Sequence, residues 1–584
     1  MKFSIIIPTF NRCDLLARTL PTVLSQQFPP EEFEVIVVVD GATDGTREFL
    51  KTVQSAARLR VLEQANQGQA SARNSGLREA VGTWVLFLDD DIVCPKTLLI
   101  EHAAAHAGED SVVVAGPVLL SPESPPGLAL DLRVKETETW VEEVGHEKYL
   151  TGFKNIIVGP NVSVPRQALN SVGGFDERLQ RAFEDYDLAF RLKKRGFSFR
   201  LCPEATTSEI YTKSIREVVF DDAVRFGKNQ ALLCRLHPEF RPFSVFRHLA
   251  DASVVKRFAL RLAASAPFSP ASVLQPLSRL AERFRNNTWV RGVGVSLLHA
   301  QIFFQVIRSG VAATGSWRNA VREYGLRLPV LLYHRIGSPP TGLWPLATVT
   351  PDRFARHLKW LARFGYSGIR PSDWLDWVTK GKALPRKPIL LTFDDGYSEL
   401  TELALPLLFQ KGYGAGVFVV TGLLGKTNAW DEEKGYSPLR LMQARDISEW
   451  VEKGIEFGAH SRTHPDLTRL SEKALDGEIE GSGRDLEAIL GHSVASFAYP
   501  YGLYDDHARR QVRRSYGMAF TTTKGVNSLR TDLHELKRTA VDPADSGIDI
   551  FFRARWGWSP WRVMMNRLQG QSSQVPRRSR RTVR

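Results

Sequence analysis

Trp84-Val85-Leu86-Phe87-Leu88-Asp89-Asp90-Asp91 and Pro388-Ile389-Leu390-Leu391-Thr392-Phe393-Asp394-Asp395 decide how this chain folds. Each is an apolar run of strand length that stops on adjacent carboxylates. Carboxylates crowded at the C-terminal end of a strand repel one another and make poor core, so a cation or a reacting proton explains them most simply. Each pair is joined downstream by a different set of polar residues, and the chain reads as two enzymes in one polypeptide.

At 584 residues the chain is too long for one hydrophobic core; about 100–200 residues per domain points to three or four units. Its composition, 43% hydrophobic and 24% charged, is that of globular protein. The net charge of +13 is unevenly placed. Residues 241–330 hold 13 Arg and Lys against Asp251, Glu282 and Glu323 (+10), and residues 562–584 hold seven Arg and no acid (+7), so the remainder is −4. Positive charge confined to a connecting segment and a tail points to peripheral contact with an anionic membrane. A nucleic-acid-binding protein would rest on charge alone, since no recognition motif accompanies it, and no specific nucleic acid is expected.

Cys13, Cys94, Cys202 and Cys234 show no CxxC spacing, which excludes a zinc ribbon or a disulfide framework. The sequence opens directly on an apolar strand, Phe3–Ile7, without a leader pattern; the expectation is a cytoplasmic protein at the inner face of a membrane. The longest apolar stretch, Gly292 to Ile307, is interrupted by His299, Gln301 and Gln305 and falls short of the ~20 residues of a spanning helix. Residues 236–328 as a whole read as a basic linker of several short helices, either lying on a membrane or bridging two domains.

In the first half, the strands Phe3–Ile7, Glu34–Val39, Leu59–Leu62 and Thr83–Leu88 alternate with amphipathic helices. That alternation predicts a parallel sheet with ligands beyond the strand C-termini. Pro8-Thr9-Phe10-Asn11-Arg12, Asp40-Gly41-Ala42-Thr43-Asp44-Gly45 and Asp89–Asp91 all fall at those ends. No GxGxxG occurs, so a dinucleotide cofactor is not indicated.

Together with Ala72-Arg73-Asn74, Gly173-Gly174-Phe175-Asp176-Glu177 and Glu184-Asp185-Tyr186-Asp187-Leu188, these segments resemble the family 2 inverting glycosyltransferases of the GT-A fold, over residues 1–235. The resemblance implies a nucleotide-sugar donor, with a UDP-sugar expected, contacted by Pro8, Thr9, Asn11, Arg12, Asp40, Arg73, Asn74, Asp89 and Asp90. It implies Mg²⁺ or Mn²⁺ at Asp91, acceptor contacts from Gly174, Phe175 and Glu184, and Asp185 as general base. A diphosphate leaving group needs a hard cation, and inversion needs one carboxylate to take the acceptor's proton. No Gln-x-x-Arg-Trp follows Asp185, which disfavours a processive polymer synthase.

In the second half six short strands, Pro329–Tyr333, Pro388–Phe393, Ala415–Val420, Ile455–Gly458, Val494–Ala498 and Met518–Thr522, predict a distorted (β/α) barrel with its site on the strand C-terminal face. His460 and His464 are four apart, a spacing that turns both imidazoles to one metal if the segment is helical. Thr392-Phe393-Asp394-Asp395-Gly396-Tyr397, His460-x-x-x-His464 and Phe497-Ala498-Tyr499-Pro500-Tyr501-Gly502 resemble the polysaccharide deacetylase (NodB-homology, carbohydrate esterase family 4) domain, over residues 329–558. The resemblance implies Zn²⁺ or a similar divalent ion on Asp395, His460 and His464, Asp394 as base, and the Tyr501 backbone N–H toward the oxyanion. His334, after the first strand, is a candidate for the site's rim.

Two departures from the family pattern stand out. Ala498 occupies the place where many members carry the arginine partner of the base, and Arg538 is the candidate substitute. The late histidine motif is incomplete; His534 lies in the right region with the wrong spacing and is the candidate general acid. The leading reading is a bifunctional enzyme that transfers a sugar to a glycan or lipid-linked acceptor and removes an N-acetyl group. The alternative is a glycosyltransferase whose second half is a non-catalytic carbohydrate-binding module. Residues 559–584 read as a basic, disordered tail.

Overall fold

The computed structural model describes residues 1–109, 111–144, 147, 149–150, 159–251, 254–338, 348–432 and 438–568. It comprises two compact units, Met1–Phe246 with Ala252–Ala320, and Arg247–Asp251 with Val321–Arg584.

In the first unit, β1 (Phe3–Thr9), β2 (Phe33–Asp40), β3 (Arg58–Gln64) and β4 (Trp84–Phe87) fall on the four expected runs. They pair in parallel in the order β3-β2-β1-β4. The intervening helices are α1 (Cys13–Leu24), α2 (Thr46–Thr52) and α3 (Gln69–Glu79). The sheet continues through β5 (Val112–Ala115), β6 (Val162–Pro165) and β7 (Ser198–Leu201) in the order β4-β6-β5-β7, with β6 antiparallel to both neighbours. Alternate residues of β1 feed two cores: Ile5 and Ile7 pack with Leu16 and Leu20 of α1, Ile6 with Ala72 and Leu77 of α3. Burial on both faces is why β1, β2 and β4 read as unbroken apolar runs, whereas β3 at the sheet edge is half-buried to exposed. Helix α4 (Glu184–Lys194) follows the loop that begins at Gly173-Gly174.

Helices α5 (Ala223–Leu236), α6 (Val254–Ser265), α7 (Pro270–Arg283) and α8 (Thr288–Ala313) complete this unit. A Cβ on Gly227 of α5 would lie 2.0 Å from Ser309 Oγ and 2.3 Å from the Val306 carbonyl of α8, so this close crossing requires glycine. The expectation of short helices fails at α8, which runs 26 residues and by length and composition could cross a membrane. The glutamines read as interruptions are satisfied sideways. Gln301 Nε2 donates to the Ala271 carbonyl at 2.7 Å, and Ser269 Oγ donates to Gln305 Oε1 at 2.6 Å.

The second unit is an open half-barrel. β8 (Leu328–Tyr333), β9 (Pro388–Phe393), β10 (Ala415–Val419), β11 (Ile455–Ala459), β12 (Ser496–Ala498) and β13 (Met518–Phe520) run parallel in the order β13-β12-β11-β10-β9-β8. Val526–Asn527 adds antiparallel to β8, and among the described residues the path does not close into a ring. The segment expected to be tail begins instead with a helix, Pro560–Leu568; residues 569–584 lie outside the described residues.

Candidate active sites

The first site lies where β1, β2 and β4 end. Asp40 closes β2, and its carboxylate accepts from the Gln67 and Gly68 backbone N–H groups (2.9 and 2.8 Å) and from Gln64 Nε2 (2.8 Å). Thr9 Oγ1 donates to Asp90 at 2.8 Å, and Arg12 Nη1 bridges Asp90 (2.7 Å) and Asp91 (2.9 Å). Burial drives the Asp90 and Asp91 carboxyls upward, and the arginine only partly offsets it. Carboxylates so placed fit a cation. Asn11, in the left-handed region at φ 49°, accepts from the Thr43 N–H at 2.7 Å and ties the β1 loop to the Asp40 turn; Pro8 is buried within β1.

Arg73, on α3, bridges the end of β4 and the start of α4. It is 1% exposed and donates to Asp89 (2.8 Å) and to Glu184 (3.1 Å), with its guanidinium 5.3 Å over the Phe175 ring. Three expectations are corrected here. Phe175 is buried edge-on against Phe87, so its ring supports Arg73 from below and offers nothing to an acceptor. Asn74 spends its amide on both backbone groups of Phe175 and on Glu177, pinning the Gly174 loop rather than facing a nucleotide. Glu184 turns inward to Arg73 and is buried. Asp185, in the first turn of α4, is half-buried and accepts from the Tyr186 N–H at 2.8 Å. Burial raises its pKa, as a proton acceptor requires.

The second site sits beyond β9, β11 and β12. Asp395, at φ 73°, directs its carboxylate to His460 Nε2 (3.6 Å) and His464 Nε2 (3.5 Å). The three residues are buried, with ligand atoms within 4.8 Å of one another. His460 Nδ1 lies 2.7 Å from the Ala498 carbonyl, which can only accept; the proton is therefore on Nδ1 and the Nε2 lone pair faces the carboxylates. Burial lowers the His460 pKa and, with Asp394 adjacent, pushes the Asp395 carboxyl up to about 8. A neutral imidazole and a carboxylate short of positive partners make a donor set that suits a divalent ion. The helical turn on which the spacing argument was conditioned is not formed. The histidines lie on a loop in which Ser461 and His464 are both at φ 63°.

Asp394 is held by Arg538 through two parallel bonds of 2.6 and 2.7 Å. Arg538 is fully buried, donates from Nε to the Thr521 carbonyl at 3.0 Å, and sits 5.7 Å and 5.8 Å from the Phe418 and Phe520 rings. Burial alone would raise the Asp394 pKa; Arg538 reverses the direction and keeps it ionised. Arg538 thus takes the place left by Ala498. Tyr501, in the left-handed region at φ 58°, packs its ring 4.5 Å from His464.

His534 is corrected. Its Nε2 lies 2.8 Å from the carbonyl of Tyr516, which precedes β13 and so belongs to the end of the sheet opposite the site. His334, the candidate for the rim, feels the charges of Asp394 and Arg538, and burial lowers its pKa. Two site residues were missed by the sequence reading. Trp430 stacks on His464 at 4.5 Å, and buried Asp431, bonded by Asn428, contributes its charge to Asp395 and His334. Asn428-Ala429-Trp430-Asp431, an aromatic beside an acid outside any apolar periodicity, was the available signal.

Residues 4–171 match the family described as Glycosyl transferase family 2, and residues 381–521 match Polysaccharide deacetylase. The putative polysaccharide deacetylase YxkH of Bacillus subtilis (strain 168) is 27% identical over 235 residues, 40% of this chain and 77% of that protein. The uncharacterized glycosyltransferase YfnE of the same strain is 31% identical over 248 residues, 34% of this chain and 62% of that one. Validoxylamine A glucosyltransferase of Streptomyces hygroscopicus subsp. limoneus is 32% identical over 226 residues, covering 35% of this chain and 50% of its own length. The chain thus joins a segment that matches family 2 glycosyltransferases to one that matches polysaccharide deacetylases.

Proposed function

We propose that the first unit transfers a sugar with inversion from a UDP-sugar to a glycan or lipid-linked acceptor, and that the second removes the acetyl group from an N-acetylated sugar. The contrast between Glu184 and Asp185 carries the transferase reading. Glu184 is spent on Arg73, whereas Asp185 keeps a half-buried carboxylate that can take the proton of an acceptor hydroxyl. Asp91 would present an oxygen to Mg²⁺ or Mn²⁺, which neutralises the diphosphate as it leaves. Asp40, among its three donors, faces the nucleotide base, and Asp89 the ribose.

The Asp394–Arg538 pair carries the deacetylase reading. A divalent ion, with zinc the natural candidate for one carboxylate and two imidazoles, would polarise the acetamide carbonyl and acidify the attacking water. Asp394, kept anionic by Arg538, takes the proton as water adds to the carbonyl carbon. The Tyr501 N–H donates to the oxygen that gains charge. As the C–N bond breaks, the departing amine takes from Asp394 the proton that came from the attacking water, and acetate leaves. The binding-module alternative drew on Ala498 and on the unassigned general acid; the Arg538–Asp394 pair speaks against the first of these.

The test pairs metal content with acetate release from N-acetylated glycans. Asp394→Asn should keep the metal and lose release, while His464→Ala should lose both. A wild-type chain that binds no divalent ion and releases no acetate would leave only the binding module.

A further inference from the structure

Helices α6, α7 and the start of α8 hide one face and display another. On α6, Leu260 and Ala263 are buried while Val255, Phe258 and Leu262 are exposed, Val255 at 80%. On α7, Ala271, Ser278 and Ala281 turn inward, and Val273, Leu277, Leu280 and the following Phe284 form an exposed stripe at spacings of four, three and four. On α8, Gly294 and Leu298 are buried, while Trp289 is 76% and Val293 38% exposed. Phe268, between α6 and α7, is 63% exposed. A soluble helix normally shows its apolar stripe to the core. Here the core face is built mostly from small residues, with Leu260 and Leu298 among them, and most of the large apolar side chains point outward, far beyond the scattered single residues of an ordinary surface.

The charge around this stripe is equally one-sided. Residues 254–293 contain seven basic side chains and one acid, Glu282. That acid is turned away, accepting from the Leu128 N–H at 2.9 Å. Lys256, Arg261, Arg279, Arg283 and Arg291 remain exposed on the same helices as the stripe. Long basic side chains flanking leucine, phenylalanine and tryptophan fit the boundary between acyl chains and acidic head groups, where the stems bury and the charges stay wet. Helix α8 does not need to span: its central glutamines bond to Ala271 and Ser269, and its C-terminal half is packed on α5 through Gly227.

We propose that the outward face of α6, α7 and the first turns of α8 is an interfacial docking surface for an anionic lipid bilayer. The proposal is independent of both catalytic assignments. It places the first unit on a membrane lying flat, by apolar insertion that anionic lipid strengthens.

The test is flotation of the full chain with vesicles of phosphatidylcholine alone and of phosphatidylcholine mixed with phosphatidylglycerol, at low and at physiological salt. Wild type should float with the anionic vesicles and much less with the neutral ones. Leu277→Glu/Leu280→Glu/Trp289→Glu should weaken binding by at least about tenfold, since apolar burial sets the strength. Arg279→Gln/Arg283→Gln/Arg291→Gln should lose about fivefold per arginine at low salt and less at high salt. Circular dichroism and thermal melting of each variant should match wild type, because every substituted side chain is exposed. Failure of wild type to bind either vesicle overturns the proposal, as does unchanged flotation of the triple-glutamate variant. A wild-type dimer that the same variant dissociates, without vesicle binding, would instead make this face a contact between two copies of the chain.

Discussion

Replacing Arg538 with methionine should strip the deacetylase unit of stability and rate together. The side chain is 0% exposed and bonds Asp394 at 2.6 and 2.7 Å, so its loss leaves a buried carboxylate without its cation. Breaking such a pair typically costs about 3–5 kcal/mol, and at about 2–4 °C per kcal/mol for a unit of this size the melting transition should fall by about 6–20 °C. Asp394 now sits below the ordinary carboxylate range because Arg538 outweighs burial. Its pKa should rise on removal of the arginine, because burial is then opposed by less positive charge. An Asp with a depressed pKa loses its anionic form only at low pH, so the acid limb of acetate release should move to higher pH in Arg538→Met. The double variant Asp394→Asn/Arg538→Met separates the two effects: with no buried charge left unpaired it should regain most of the lost melting temperature while remaining inactive. The assays are calorimetric melting of the second unit's transition and acetate release across pH. A single variant that melts with wild type and keeps its acid limb would refute the assignment of Arg538 as the group that holds Asp394 ionised.

Asp185→Asn should abolish sugar transfer while calorimetry still detects UDP binding; normal turnover would remove Asp185 as the base. His534→Ala should leave acetate release unchanged, because its ring is spent on the Tyr516 carbonyl at the far end of the sheet; a fall of about 10²–10⁴-fold would restore it as the proton donor. In the first unit, burial disfavours the His237 imidazolium, but its hydrogen bonds to Asp187 and Glu239 outweigh that and raise its pKa. A raised histidine pKa stabilises the fold fully below the unfolded value and is lost as pH rises through the folded one, so the first unit's urea midpoint should drop as pH rises above the ordinary histidine value of about 6.5. His237→Gln should flatten that slope.

What the sequence made legible were features a single segment carries. An apolar run ending on carboxylates announces both a strand and the end of it that faces a ligand, and Asp40, Asp89–Asp91, Asp394 and Asp395 all lie at such ends. Contacts made by fold closure were harder. Arg538 is 144 residues from Asp394, and its candidacy came from a gap in a motif rather than from any pattern around it. His534 and His334 differ only in which end of the sheet they reach, which one-dimensional spacing cannot express. The His460–His464 spacing suited a helix, yet the chain brings the imidazoles together with left-handed residues at Ser461 and His464.

The two sites solve one electrostatic problem in different ways. Each crowds carboxylates at strand ends and brings in an arginine from elsewhere in the chain. Arg538 is completely enclosed and bound on both oxygens of one carboxylate, whereas Arg12 is shared between Asp90 and Asp91, with its side chain 25% exposed. A fixed ion pair suits a base that must stay anionic beside a resident ion. An arginine at the solvent edge can exchange a carboxylate for a phosphate, which is what a site that admits and releases a charged nucleotide at every turnover requires. On this argument Arg12→Lys, which keeps the charge but loses the planar fork, should weaken UDP binding. Arg538→Lys should leave UDP binding untouched and lower acetate release.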